Sequence, residues 1–275
     1  MKIHKISEIL YKLENCIVYK KPFSHIRFGD GGIKFLHSLF YTELNQLAVI
    51  CHKEGFPLDK CVTIAELWGY YARRADYIDT PQVYFDNEFW PRTRGPEKPI
   101  TEKTLEKLLM WPDLYYRAEF DNDSYCNPES NYLMLLRRDG QKNILDLMKG
   151  RKVAMITACP SVQYRIKEYG YTVDAIQIVG HYQNQYDNSF DNVVKIIKDR
   201  STHYDLWLVA AGELGRVYSG IIKETGGRAI DIGFVAEFWI GKPLHSRLEL
   251  YLNRSQTNSL ELKLTDEGLK FAEYI

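Results

Sequence analysis

Tyr204-Asp205-Leu206-Trp207-Leu208-Val209-Ala210-Ala211 is a nearly unbroken apolar run, and it turns at once into Gly212-Glu213-Leu214-Gly215-Arg216. A strand apolar on both faces belongs inside a sheet covered on both sides, the usual situation of a parallel sheet. The glycines mark a tight turn into a helix expected over 213–226, which stops at Gly226-Gly227. Arg228-Ala229-Ile230-Asp231-Ile232 is the next strand. Upstream the same pattern repeats: a strand from Lys152 to Ala158, a helix over 160–170, a strand from Thr172 to Val179, and helical spacing over 188–200. Strands alternating with helices of about 10–14 residues imply a parallel sheet with crossover helices.

The N-terminal half is less regular. An amphipathic helix is expected over 5–16, with Ile6, Ile9, Leu10 and Leu13 on one stripe. A strand at 24–28 and a helix over 32–53 follow, then a Trp/Tyr-rich helix over 63–77 and a strand near Val83-Tyr84-Phe85. Residues 90–100 hold three prolines and read as an exposed loop, and 101–118 and 130–148 read as helices. Near the end, Arg247 to Leu252 and Leu260 to Leu264 alternate with period two, as a β-hairpin would, before a short helix over 265–274. The expected class is α/β: a mainly parallel sheet flanked by helices in one domain over 1–245. It carries a helical, aromatic insertion over 55–130 and a C-terminal β-hairpin and helix over 246–275.

Composition narrows the function. The 275 residues are 45% hydrophobic and 26% charged, the balance of a soluble globular protein. No apolar run nears the roughly 18 residues that span a bilayer. Met1-Lys2-Ile3-His4-Lys5-Ile6 lacks the apolar core of a secretory signal. Cys16, Cys51, Cys61, Cys126 and Cys159 are scattered, without zinc-site spacing, which suits reduced thiols and a cytoplasmic location. With 36 basic and 36 acidic residues the formal charge is zero, so nothing global recruits nucleic acid. The P-loop, dinucleotide and nucleophile-elbow motifs are all missing, and the histidines show no ligand spacing.

The other chemistry-bearing stretch is Ser24-His25-Ile26-Arg27-Phe28-Gly29-Asp30-Gly31-Gly32. A short strand ends in an arginine and turns through glycines around one aspartate. Such a turn offers backbone N–H groups, a guanidinium and a carboxylate at a strand end, where α/β proteins bind phosphorylated ligands. An ordinary tight turn also accounts for either glycine cluster by itself.

Ser24 to Gly32 resembles the "SxxRxGDGE" opening of the GT-D-type glycosyltransferases, bacterial enzymes once catalogued as a domain of unknown function. Ala211-Gly212-Glu213-Leu214-Gly215 through Ala229-Ile230-Asp231-Ile232-Gly233 is similar to that family's closing glycine turn, helix and strand. Asn184-Gln185-Tyr186-Asp187 resembles its polar connection. The resemblance implies a Rossmann-like scaffold and transfer of a sugar from a nucleotide diphosphate, a uridine diphosphate sugar above all. It also implies assistance by Mn²⁺ or Mg²⁺ through an acidic Asp-x-Glu pair. The chain departs from this pattern at Gly32, which stands in place of the glutamate, and at Phe234, in place of a histidine. Losing a carboxylate weakens a hard-cation site, so Asp30 holds a metal together with the diphosphate or cationic side chains replace the metal.

Sugar transfer needs a counter-charge for the departing diphosphate and a base for the acceptor hydroxyl. Arg27 is the first candidate for the charge, since a guanidinium bridges phosphate oxygens; an ion pair at a strand end is its structural alternative. Gly29, Gly31, Gly212 and Gly215 offer backbone N–H groups, with Arg216 and Asp187 as further contacts to the donor. For Asp187, helix capping competes with that role. Asp30, Asp231 and Glu237 are the candidate bases. The acceptor is a glycan or glycoprotein, or a hydroxylated DNA base met by Arg73, Arg74, Trp90, Arg92, Arg94 and Lys98. Two other readings compete: a nucleotide-sugar-binding module without catalysis, and a phosphate-ester hydrolase.

Overall fold

The computed structural model describes residues 3–4, 6–27, 35, 38–39, 44–79, 125–126, 143–180, 183–233 and 235–239. Its strands are β1 (Ile3–His4), β2 (Phe23–Ile26), β3 (Tyr77–Asp79), β4 (Tyr125–Cys126), β5 (Val153–Thr157), β6 (Val173–Gln177), β7 (Leu206–Ala210) and β8 (Arg228–Asp231). They form one sheet in the order β1-β4-β3-β2-β8-β7-β5-β6, and each pairing is parallel. The helices are α1 (Ile6–Val18), α2 (Leu44–Glu54), α3 (Cys61–Ala72), α4 (Ile144–Met148), α5 (Val162–Lys167), α6 (Asp191–Arg200), α7 (Leu214–Glu224) and α8 (Val235–Trp239).

The two-residue period of the strands builds two cores. Val153, Met155, Leu206, Leu208 and Ile230 face one layer, with α1, α4, α5 and α8. Ala154, Ile156, Trp207, Val209 and Ala229 face the other, with α2, α3, α6 and α7. Connections running one way along the sheet (β1 to β2, β5 to β6) put their helices on the first face. Those running the other way (β2 to β3, β6 to β7, β7 to β8) put theirs on the second. A single crossover hand requires this arrangement.

Several boundaries differ from the sequence reading. The Trp/Tyr-rich helix stops at Ala72, and the strand after it is Tyr77–Asp79. Buried Ile64, Ala65, Trp68 and Ala72 seat α3 against α7, and β3 lies beside β2 with all three residues buried. The described part of 55–130 is thus integral to the sheet and its helical layer. The strand expected near 83–85, the loop at 90–100, the helix at 101–118, most of 130–148 and the terminal hairpin lie outside the described residues. Among the described residues no helix is long and apolar enough to cross a membrane.

Candidate active site

The helices following β2 and β7 go to one face of the sheet, and the helix following β8 goes to the other. Diverging connections leave a crevice at the carboxyl ends of such strands, the usual ligand position in open α/β sheets. Arg27 follows β2, Asp79 ends β3, Asp231 ends β8, and Gly212-Glu213 lead from β7 into α7.

The ends of β2 and β7 are joined here. Arg216, in the first turn of α7, donates from Nε to the carbonyl oxygen of Arg27 at 2.7 Å. Its Nη1 reaches Glu213 Oε2 at 2.5 Å and Gly212 O at 3.4 Å, and its guanidinium lies 4.9 Å from the centre of the Trp68 ring. Arg216 is only 4% exposed, so it joins the two strand ends from within. Gly212 takes φ +53°, a conformation that glycine adopts without penalty. Gly215 serves close approach: a Cβ there would stand 3.3 Å from Val209 Cγ1 and 3.8 Å from Asp231 Oδ2. Its N–H is already turned to Ala211 O and Gly212 O.

On the β2–β3 side, His25 Nε2 and Asp79 Oδ1 are 2.9 Å apart and both side chains are fully buried. Asp79 Oδ2 stands 3.8 Å from Arg27 Nε, and the Arg27 side chain keeps 14% exposure. Asp79 therefore stands beside the mostly buried Arg27 side chain at the end of β2. Asp231 Oδ1 accepts from the N–H of Gly233, which has φ +51°.

Burial dominates the electrostatics. It pushes the Asp231 carboxyl above its ordinary value, against the pull of Arg27, Arg216 and His25. Glu213 is driven to about 7 by burial, with Glu54 and Asp231 adding to the rise and Arg216 opposing it. The ion pair with Arg216 is too small to offset the lost hydration of a buried carboxylate.

Of the candidates read from the sequence, Arg27, Gly212, Gly215, Arg216 and Asp231 come together in this crevice. Asp187 lies beyond β6, in a π-helical turn over Tyr186–Phe190, where it exchanges hydrogen bonds with Asn184. The N-cap of this turn is Gln185, not Asp187, and Asn184 Oδ1 accepts from Asp187 N. Gly29, Asp30 and Gly31 lie outside the described residues. Glu237 sits within α8, directly after the β8 corner. Arg74 is spent on Tyr70, with its guanidinium 3.7 Å from the ring centre.

The sequence reading missed His25, Asp79 and Glu54. Their only sequence signal is polarity in an apolar context: His25 lies within buried β2, and Asp79 closes buried β3. No group of three or more His, Cys, Asp or Glu among the described residues is arranged to hold a metal ion. Asp79, Glu213 and Asp231 each sit within the field of arginines or His25, which compensates their charge and does not make an oxygen cage for a hard cation.

No family model and no curated protein matches the chain. Two solved structures share the fold. One is the selenomethionine-substituted structure of domain of unknown function 1792. It has a TM-score of 0.54 and 13% identity, covering 95% of this chain and 85% of that one. The second, described as the highly conserved domain of unknown function 1792 with a distinct glycosyltransferase fold, matches with a TM-score of 0.54 and 14% identity over the same shares. The chain thus has an α/β architecture of the kind described there as a glycosyltransferase fold.

Proposed function

We propose that this protein is a glycosyltransferase that moves a sugar from a nucleotide diphosphate donor, a uridine diphosphate sugar, to an acceptor hydroxyl. The observation that carries the reading is the Arg216–Arg27 hydrogen bond, which ties the end of β2 to the corner between β7 and α7. The likeness to a domain described as a glycosyltransferase fold supports it.

In this reading the Arg27 guanidinium meets the departing diphosphate, and neighbouring Asp79 keeps it aimed. Asp231, with its raised proton affinity, is a base candidate for the acceptor hydroxyl, beside Asp30 and Glu237. Gly212 lets the chain approach the ligand closely, and Asp187 is a donor contact at the same edge of the sheet. A divalent cation, where used, would rely on Asp30 and the diphosphate oxygens and would help neutralise the leaving group. The acceptor is a glycan or glycoprotein. The cysteines at 16, 51 and 61 are free and buried, and burial raises each thiol, which suits a reducing cytoplasm.

A second reading, a nucleotide-sugar-binding module, draws on Gly32 standing where the resembling family has a glutamate. Incubation with a panel of uridine diphosphate sugars and glycan acceptors, with and without Mn²⁺, separates the readings. Acceptor-dependent release of uridine diphosphate supports transfer, and binding without turnover supports the module. Release that ignores the acceptor and rises with metal points to a hydrolase.

A further inference from the structure

The amino-terminal edge of the sheet, opposite the crevice, carries a second opening of about 670 Å³. Strand entries converge on it. Lys20 precedes β2, Lys152 precedes β5, Thr172 precedes β6, Asp205 precedes β7, and Arg228 opens β8. Arg228 and Asp231 are the two ends of one strand, on the order of 10 Å apart along it, so the two openings are separate.

The lining is strongly cationic. Lys20, Arg151, Lys152 and Arg228 face a single carboxylate, Asp205, which is occupied in accepting from the backbone N–H of Lys152 at 2.9 Å. Arg228 is 3% exposed and held rigidly, with Nε donating to Asp205 O at 2.8 Å and Nη2 to Tyr204 O at 2.6 Å. Arg228 lines the cleft, so its held guanidinium sets a fixed positive charge against it. Arg151 is partly spent on Leu147 O and Glu14. No ion pair among the described residues engages Lys20 or Lys152, and both are exposed.

Two backbone features add to the charge. Lys20 is the one non-glycine residue with positive φ among the described residues, at +53°, in the helix-stop position after α1, where Lys21 N bonds to Cys16 O. Glycine is the residue that this conformation favours, so an ammonium is presented here at a backbone cost. Gly150 and Gly170 border the cleft with φ +71° and +85°, and a Cβ at either would meet nothing within 4 Å, which leaves the rim open.

We propose that this cleft binds a small oligophosphate anion, at a site independent of the carboxyl-edge crevice. Lys20 and Lys152 supply mobile ammonium groups, Arg228 a fixed guanidinium edge, and Thr172 a hydroxyl.

The test is calorimetric titration of the full chain with tripolyphosphate. The Lys20→Glu/Lys152→Glu pair should weaken binding at least about tenfold. Lys195→Glu/Lys198→Glu, the same charge change at two exposed residues of α6, should leave it within about twofold. Lys20→Gly should raise the melting temperature while weakening binding, which separates ligand contact from folding. Arg27→Ala should leave the affinity intact, so failure of the glycosyltransferase reading leaves this site standing. Absence of millimolar binding, equal loss in Lys195→Glu/Lys198→Glu, or loss only in Arg27→Ala would overturn the proposal.

Discussion

Arg216 Nε donates to the carbonyl oxygen of Arg27 at 2.7 Å across 189 residues of sequence. The bond fixes a division of labour between two arginines. Arg216 is buried and fully engaged with Arg27, Gly212 and Glu213, so it builds the corner. Arg27 lies beside Asp79 with 14% of its side chain exposed, and it is the arginine proposed to meet a ligand.

Replacing Arg27 with alanine should therefore lower the rate of sugar transfer by about 10²–10³, the usual cost of losing one well-placed charge donor. Its side chain is mostly buried, at 14% exposure, beside fully buried Asp79, so the melting temperature should fall as well, and rates are compared at a temperature where both proteins are folded. Asp79→Asn should reduce kcat more than it raises KM, because Arg27 remains present but is less well aimed. Initial rates of uridine diphosphate release check both; full activity in both variants would remove this corner from the chemistry.

Arg216→Met should destabilise the protein by about 3–5 kcal/mol, since Glu213 loses its counter-charge and Arg27 its hydrogen-bond donor in a buried place. Arg216→Lys should recover little, because one ammonium cannot span the carbonyl and the carboxylate as a guanidinium does. Adding Glu213→Gln to Arg216→Met should restore part of the loss. Urea midpoints for the four-member cycle give the coupling directly.

Stability should fall as the pH rises from about 4.5 to about 7. Burial moves the Glu213 carboxyl from 4.5 up to about 7, so across that window the folded chain holds a proton that the unfolded chain has released. Asp231, raised for the same reason, acts with the same sign. Urea midpoints should be higher at pH 5 than at pH 7.5, and Glu213→Gln should flatten the slope. An unchanged slope in that variant would mean that Glu213 is ionised in the folded protein.

Gly220→Ala should cost about 1–3 kcal/mol or more through overpacking. A methyl there would stand 2.1 Å from Tyr71 Cγ and 2.3 Å from its Cβ, close to the α3 backbone, so the side chain cannot swing clear. Separation of α3 from α7 would also break the Tyr71 hydroxyl's bond to Glu224 Oε2, now 3.0 Å. The melting temperature should fall by several degrees.

Periodicity and punctuation, both local properties, were enough to place the parallel β/α alternation from Lys152 to Ile232 on the chain. The apolar run Leu206–Ala210 with Gly212 and Gly215 announced a buried strand and a tight corner, because a residue's tendency to alternate or to turn depends on near neighbours. Which strands lie side by side depends on packing between segments far apart, and no local pattern encodes it. Only the tertiary structure put β2 against β8, set Asp79 and His25 beside one another near Arg27, and buried Arg216 against the Arg27 carbonyl. The pairing of β2 with β8 is what brings Arg27 and Asp231 to neighbouring strand ends, and it rests on burying both faces of the sheet under helices contributed by distant segments.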